Sequence, residues 1–188
     1  MNIWLISDTH LNHQEIATYC DRPENFTELI ITRWNQRVKP DDLVIHLGDV
    51  AIGKHGLIEP QLRALNGKKI LIRGNHDKHH GCHWWMNHGF DFACDAMVFR
   101  NCWLTHKPAK RLPRGCTLNI HGHLHNVWDT FSHMDDGVIP WLFTHILRRG
   151  RLRHSWQRLF AIEYTDYYPI GLEEFLAHPD KYRARSAE

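Results

Sequence analysis

Residues 3–10 read Ile-Trp-Leu-Ile-Ser-Asp-Thr-His: four apolar residues, then at once a carboxylate and an imidazole. A short apolar run bounded by polar residues marks a buried strand. Ile3–Ile6 is therefore expected to be a strand that ends where Asp8 and His10 begin. The arrangement recurs along the chain. Leu43–Leu47 runs into Gly48-Asp49, and Ile70–Ile72 with Arg73 runs into Gly74-Asn75-His76-Asp77. Cys102–Leu104 leads to Thr105-His106, and Leu118–Ile120 to His121-Gly122-His123-Leu124-His125.

Ligands of open α/β sheets gather at the carboxyl ends of the strands. Five such strands side by side would bring Asp8, His10, Asp49, Asn75, His106, His123 and His125 to one rim. Two carboxylates, an amide oxygen and four imidazoles form a borderline oxygen and nitrogen donor set. It suits manganese, iron, zinc, cobalt or nickel better than magnesium or calcium. With no thiolate in the set, a closed structural zinc site is not expected. Asp8-x-His10 and His123-x-His125 would each point two side chains the same way if the backbone there is extended, because a strand has period two. Gly48 and Gly74 are read as tight exits from strands, and Gly122 as the point where His121 and His123 diverge.

The remaining pattern alternates strands with helices, an α/β layered arrangement. Helices are expected at Phe26–Val38, with Leu29, Ile30, Trp34 and Arg37 at helical spacing, and at Gly56–Leu65, with Leu57, Ile58, Leu62 and Leu65 on one face. Residues 78–88 read as a helix or irregular segment. Ala96–Phe99 and Cys102–Leu104 read as a hairpin about Arg100-Asn101, Leu159–Tyr164 as a strand and Ile170–Ala177 as a terminal helix. The hairpin makes the sheet mixed, or makes two sheets. The chain, 188 residues long with 43% hydrophobic and 23% charged residues, is read as one globular domain over 1–188. A formal net charge of +2 singles out no partner class, whereas the 17 histidines are the compositional outlier. Five cysteines without a Cys-x-x-Cys pair argue against a disulfide framework. The first residues lack the basic and long apolar regions of a signal peptide, and no apolar run approaches the ~20 residues of a membrane span. A cytoplasmic protein without membrane contact is expected; the oligomeric state is left open.

Asp8-Thr9-His10, Gly48-Asp49, Gly74-Asn75-His76-Asp77, His106 and Gly122-His123-Leu124-His125, in that order, resemble the calcineurin-like metallophosphoesterase superfamily. Each block alone is weak; the ordered set over residues 8–125 is specific. The chain is also similar to small bacterial and phage phosphoesterases, which share an Asp-Thr-His-x-x-His start (Asp8–His13) and a Tyr-x-Pro…Leu-Glu-Glu segment (Tyr168–Glu174). No part of this pattern falls in 126–160. The resemblance implies a four-layer αββα sandwich with two mixed β-sheets and two divalent metal ions, manganese foremost. Asp8, His10, Asp49 and His125 would hold one ion, and Asp49, Asn75, His106 and His123 the other, with Asp49 bridging. It further implies hydrolysis of a phosphate ester by a metal-bound hydroxide, with His76 as general acid and Asp77 orienting His76 or a ligand. The run Gly48-Asp49-Val50-Ala51-Ile52-Gly53-Lys54 lacks the Asp-Arg pair of the protein Ser/Thr phosphatase branch. The expected substrate is therefore a small phosphoester or nucleotide, most readily a diester, rather than a phosphoprotein.

Two residues are assigned to substrate binding: His13, whose competing reading is a solvent-facing helix start, and Arg73, whose competing reading is a strand-end salt bridge. His46, inside an apolar run, is read as a hydrogen-bonded core residue, and His121 is left out of the site. The tract His79–His83 with His88 reads as an exposed loop before a further metal site. The basic stretch Lys107–Arg114 reads as a solvated loop before a polyanion track. Arg148, Arg149, Arg151, Arg153 and Arg158 with Trp156 read as a surface element before a nucleic-acid contact. A nuclease acting on single strands is the alternative enzyme, with nucleic acid not the favoured partner. A non-catalytic scaffold is the alternative of another class, and it is disfavoured because every ligand position and His76 are filled.

Overall fold

A computed structural model describes residues 1–126, 154–178 and 181–182. The chain runs β1 (Ile3–Ile6), α1 (Gln14–Tyr19), α2 (Phe26–Arg37), β2 (Leu43–His46), α3 (His55–Ala64) and β3 (Lys68–Ile72). A 3-10 turn at Asp77–His79 then leads to α4 (Cys82–Asn87), β4 (Phe92–Cys94), β5 (Ala96–Phe99), β6 (Cys102–Thr105) and β7 (Leu118–His121). Last come β8 (Gln157–Leu159), a 3-10 turn at Ile162–Thr165, β9 (Ile170–Gly171) and α5 (Leu172–Ala177).

The strands form two mixed sheets. One has the order β4-β3-β2-β1-β9, parallel except for β9, which caps the β1 edge through Trp4–Gly171 and Leu5–Ile170. The other has the order β5-β6-β7-β8, with an antiparallel hairpin β5–β6 and parallel neighbours beyond it. The parallel strands carry apolar runs at Ile3–Ile6 of β1, Leu43–Ile45 of β2 and Ile70–Ile72 of β3, as strands covered on both faces do. A single apolar cluster joins the sheets: Leu5, Ile45 and Leu71 from the first, Leu104 and Ile120 from the second. Phe26, Ile30 and Trp34 of α2 enter it at four-residue intervals. The expected α/β sandwich with two mixed sheets is the architecture found.

Several expectations change. The five strands that end in polar clusters are not side by side: β1, β2 and β3 lie in one sheet, β6 and β7 in the other. The strand expected at Leu159–Tyr164 ends at Leu159, and Ile162–Thr165 coils into a 3-10 turn. Ile170 and Gly171 pair with β1, so the terminal helix starts only at Leu172. On α3, Leu57 is half exposed while Ile58, Leu62 and Leu65 are buried. Helix α1 does begin after His13, the helix start weighed for that residue, but its extent was not anticipated, nor was strand β4; at six and three residues they are too short for a periodic signal. All five cysteines are free. Among the described residues no helix is long and apolar enough to cross a membrane.

Candidate metal centre

The carboxyl ends of β1, β2, β3, β6 and β7 meet where the two sheets abut, and the seven expected ligands meet there. Asp8, His10 and His125 place ligand atoms within 4.8 Å of one another, as do Asp49, His106 and His123. Asn75 joins the second group through Oδ1, 3.1 Å from His106 Nε2.

The two carboxylates divide their oxygens in the same way. Asp8 Oδ2 accepts from the Ser7 hydroxyl (2.5 Å) and from His123 N–H (2.9 Å). Its Oδ1 is left buried without a partner, 3.9 Å from His10 Nε2 and 3.6 Å from His125 Nε2. Asp49 Oδ1 accepts from His76 N–H (2.9 Å). Its Oδ2 faces inward, 3.2 Å from His106 Nε2, 3.6 Å from His10 Nε2 and 4.0 Å from His76 Nε2. One oxygen of Asp49 thus looks into both groups. His10 Nε2 is also buried and unpartnered. Burying such atoms unpaired is costly. These separations suit donors that share a cation through bonds of roughly 2.0–2.2 Å, so the residues present fit a divalent metal.

Outer partners set the imidazole tautomers. His106 Nδ1 lies 2.9 Å from the Leu47 carbonyl and must donate to it, so Nε2 is the nitrogen that faces the site. His125 Nδ1 is 3.1 Å from Glu163 Oε1. His10 Nδ1 is 3.2 Å from His13 Nδ1, and His13 Nε2 is 3.1 Å from Glu15. His10 can therefore donate to His13, which in turn donates to Glu15. His123 differs, presenting Nδ1 towards the site, 3.2 Å from His106 Nε2. Burial shapes the titrations first. It pushes Asp8 up against the opposing charges of His125 and His106, and pushes His123 down to about 3. Burial also works to raise Asp49, but the hydrogen bond and charge of His106 outweigh it and hold Asp49 below the usual carboxylate range.

The local backbone is not the extended chain expected from Asp8-x-His10 and His123-x-His125. Asp8, His10, Asp49, His123 and His125 all have positive φ, from 46° to 72°. A left-handed conformation costs a non-glycine residue on the order of 1–3 kcal/mol and persists where surrounding structure imposes it. Bent backbone, not strand alternation, aims these side chains. Two glycines permit the approach. A Cβ on Gly74 would fall 2.1 Å from Asp49 Oδ1, and one on Gly122 2.2 Å from Asp8 Oδ2. Their requirement is room beside the carboxylates rather than a tight strand exit or a divergence of histidines.

The other expected site residues lie as follows. The His76 side chain is 39% exposed at the mouth of the site, its ring 5.1 Å from that of His10. His13 stands beside both, its ring 5.6 Å from that of His76. Asp77 is buried beneath, its carboxylate accepting the backbone N–H groups of Asp49 (2.7 Å), Val50 (2.9 Å) and Gly74 (2.7 Å). It braces the two loops that carry Asp49 and Asn75. Arg73 bonds to Asp95 and to the His80 carbonyl, both at 2.8 Å. His46 is a core residue bonded to Thr9 and to Gly48 N–H. His121 is buried, and burial lowers it to about 4. In the histidine tract, His80 and His88 stack on the two faces of Trp84, each with centroids 4.0 Å apart. Lys107, Lys110, Arg111 and Arg114 are exposed. Arg148, Arg149, Arg151 and Arg153 lie outside the described residues.

Two residues of the site were not anticipated, Arg22 and Glu163. The first ends the α1–α2 linker's polar run before Pro23. The second is a lone charge among Leu159-Phe-Ala-Ile162 and Tyr164, and a charge within such a run signals a paired buried group.

Fold and site together define an α/β protein with a candidate metal centre at the joint carboxyl ends of two sheets. A family model for calcineurin-like phosphoesterases matches residues 1–180, and the chain belongs to that family. Over 82 residues it is 44% identical to the uncharacterized protein MJ1445 of Methanocaldococcus jannaschii, covering 40% of this chain and 47% of that protein. Over 86 residues it is 35% identical to the gene 66 protein of Mycobacterium phage D29, covering 42% of each. The chain thus spans less than half the length of these curated relatives. The crystal structure of a protein of unknown function, AQ665 from Aquifex aeolicus, is similar with a TM-score of 0.64 at 24% identity. That likeness covers 94% of this chain and 98% of that one, and it speaks to the fold alone.

Proposed function

We propose that the protein is a metal-dependent phosphodiesterase acting on a small phosphoester or a nucleotide, with two divalent ions of which manganese is the first candidate. The observation that carries this reading is the position of Asp49 Oδ2, 3.2 Å from His106 Nε2 and 3.6 Å from His10 Nε2. A carboxylate oxygen facing two ligand groups would be shared by both ions of a dinuclear site. Asp8, His10 and His125 would hold one ion, Asn75, His106 and His123 the other. When bound, such ions supply Lewis acidity towards phosphoryl oxygens and lower the pKa of water.

The chain's own groups do the rest. His76 is exposed enough to meet substrate, and its backbone N–H is fixed on Asp49 Oδ1. An imidazole so placed can hand a proton to the departing ester oxygen. His13 accepts from His10 through Nδ1; its Nε2–H, which meets the exposed Glu15 carboxylate, can bond a phosphoryl oxygen only by leaving Glu15. The Arg73 guanidinium is taken up by Asp95 and the His80 carbonyl, and the Asp-Arg pair of the phosphoprotein phosphatases is missing from 48–54. A substrate of lower charge, a diester, is thus favoured over a dianionic monoester. Turnover of bis-p-nitrophenyl phosphate and p-nitrophenyl phosphate with manganese tests the reading. Faster diester cleavage supports it; faster monoester cleavage removes the diester preference, and no cleavage of either removes the activity.

A nuclease is the second reading, favoured by one observation: exposed Lys107, Lys110, Arg111 and Arg114 follow directly on His106. Cleavage of single-stranded DNA or RNA that weakens steeply with salt would select it.

A further inference from the structure

Beneath the Asp8–His10–His125 group lies a buried ion pair that the metal chemistry itself does not require. The Arg22 side chain is 0% exposed and that of Glu163 4%. Arg22 Nη1 donates to the Thr9 carbonyl (3.0 Å), Nη2 donates to the Asp8 carbonyl (2.8 Å) and to Glu163 Oε1 (2.6 Å), and Nε donates to the same Oε1 (3.0 Å). His125 Nδ1 lies 3.1 Å from Glu163 Oε1 and 3.4 Å from Arg22 Nη2. A guanidinium nitrogen Nη2 carries two hydrogens, and shorter bonds to Asp8 and Glu163 already use both. Cys20 also stands beside His125 and Glu163, its thiol sulfur within 4.8 Å of both, but the carboxylate at 3.1 Å is the stronger acceptor, so His125 Nδ1 donates to Glu163 and Nε2 faces Asp8 Oδ1 at 3.6 Å.

Buried ion pairs add little net stability compared with apolar residues of similar volume, so the value of this pair is positional. The two residues are 141 apart in sequence. Arg22 grips the backbone of the loop carrying Asp8 and His10. Glu163, on the 3-10 turn after β8, grips the ring of His125.

We infer that Glu163, fixed by Arg22, is a positioning residue that sets the tautomer and direction of His125, so that metal affinity of the Asp8–His10–His125 group depends on the C-terminal segment. The inference rests on the metal-centre reading above. It concerns one of the two groups only, because His106 is oriented separately by the Leu47 carbonyl.

Stepwise titration of the full chain with zinc or manganese, in competition with a chromophoric chelator, tests this. Two variants are compared with wild type: Glu163→Gln, which keeps shape, and the double variant Arg22→Met with Glu163→Leu, which removes both buried charges together and so leaves neither unpaired. Each is expected to weaken one of two binding steps by roughly ten- to a hundredfold and to leave the other at its wild-type value. The step that moves should be the one that His10→Ala abolishes. Variants that bind both equivalents as wild type does, or that lose both steps equally, overturn the positioning role. A wild type that binds no metal overturns the metal-centre reading as well, so the two failures are distinguishable.

Discussion

Gly122 and Asp8 approach so closely that no side chain fits between them: a Cβ at 122 would lie 2.2 Å from Asp8 Oδ2 and 2.0 Å from Ser7 Oγ. Asp8 Oδ2 is anchored by Ser7 and His123 N–H, so neither atom can yield without moving a ligand. Gly122→Ala should therefore cost about 1–3 kcal/mol of stability, as overpacking does, and lower metal occupancy with it. Urea unfolding and elemental analysis of the purified variant would show both; unchanged values would mean that the loop relaxes freely.

Asp49 carries the tie between the two ligand groups. Asp49→Asn keeps an acceptor oxygen on the His76 N–H side but loses the charge that faces His106 and His10. At least one metal equivalent should be lost on gel filtration, measured by plasma mass spectrometry. Full occupancy in this variant would contradict the bridging role.

His76 touches no expected ligand's inner oxygen closer than 4.0 Å, and its imidazole stands at the mouth. Replacing it by Ala should lower turnover of a diester with a poor leaving group by ~10²–10⁴-fold, the usual size of proton-transfer catalysis, with metal content intact. The loss should shrink on p-nitrophenyl esters, whose leaving group needs less protonation. An undiminished rate on the poor leaving group would remove His76 from proton transfer.

His46 gives the fold an acid limit. Its Nδ1 accepts from Gly48 N–H (3.0 Å), so Nε2 donates to Thr9 Oγ1 (2.9 Å), and that hydroxyl donates to the Val50 carbonyl (2.7 Å). Burial holds its pKa down to about 3, against 6.5 for a free imidazole. Below pH ~6.5 the unfolded chain takes up a proton that the folded chain refuses, so stability declines as the pH falls from there towards 3. The share lost by pH 5 is about 2 kcal/mol. In chelator-treated protein, the gap between urea midpoints at pH 7 and pH 5 should narrow in His46→Gln. An equal gap in both proteins would assign the acid sensitivity to other groups.

Much of this site was legible because strand ends are short and chemically abrupt. Apolar runs stop at Asp8, Asp49, Asn75, His106 and His123, and those residues do converge. What the linear reading could not supply is which sheet each strand joins. Register and sheet membership arise from long-range pairing, and the β5–β6 hairpin opens a second sheet instead of extending the first. Nor could it supply the left-handed backbone at Asp8, His10, His123 and His125. These residue types tolerate that conformation, but nothing local demands it; the facing loops impose it. Asp77 and Arg73 sit next to the motif residues in sequence, yet the first turns under the loops to backbone amides and the second outwards to Asp95. Arg22 and Glu163 escaped notice for the opposite reason, being distant in sequence and joined only by the fold.

The central claim is a metal pair held across Asp49. Metal-to-protein stoichiometry after chelation and reconstitution with manganese tests it most directly. Two equivalents per chain are expected, with diester hydrolysis returning alongside them. A folded protein that takes up no manganese, iron or zinc would contradict the account.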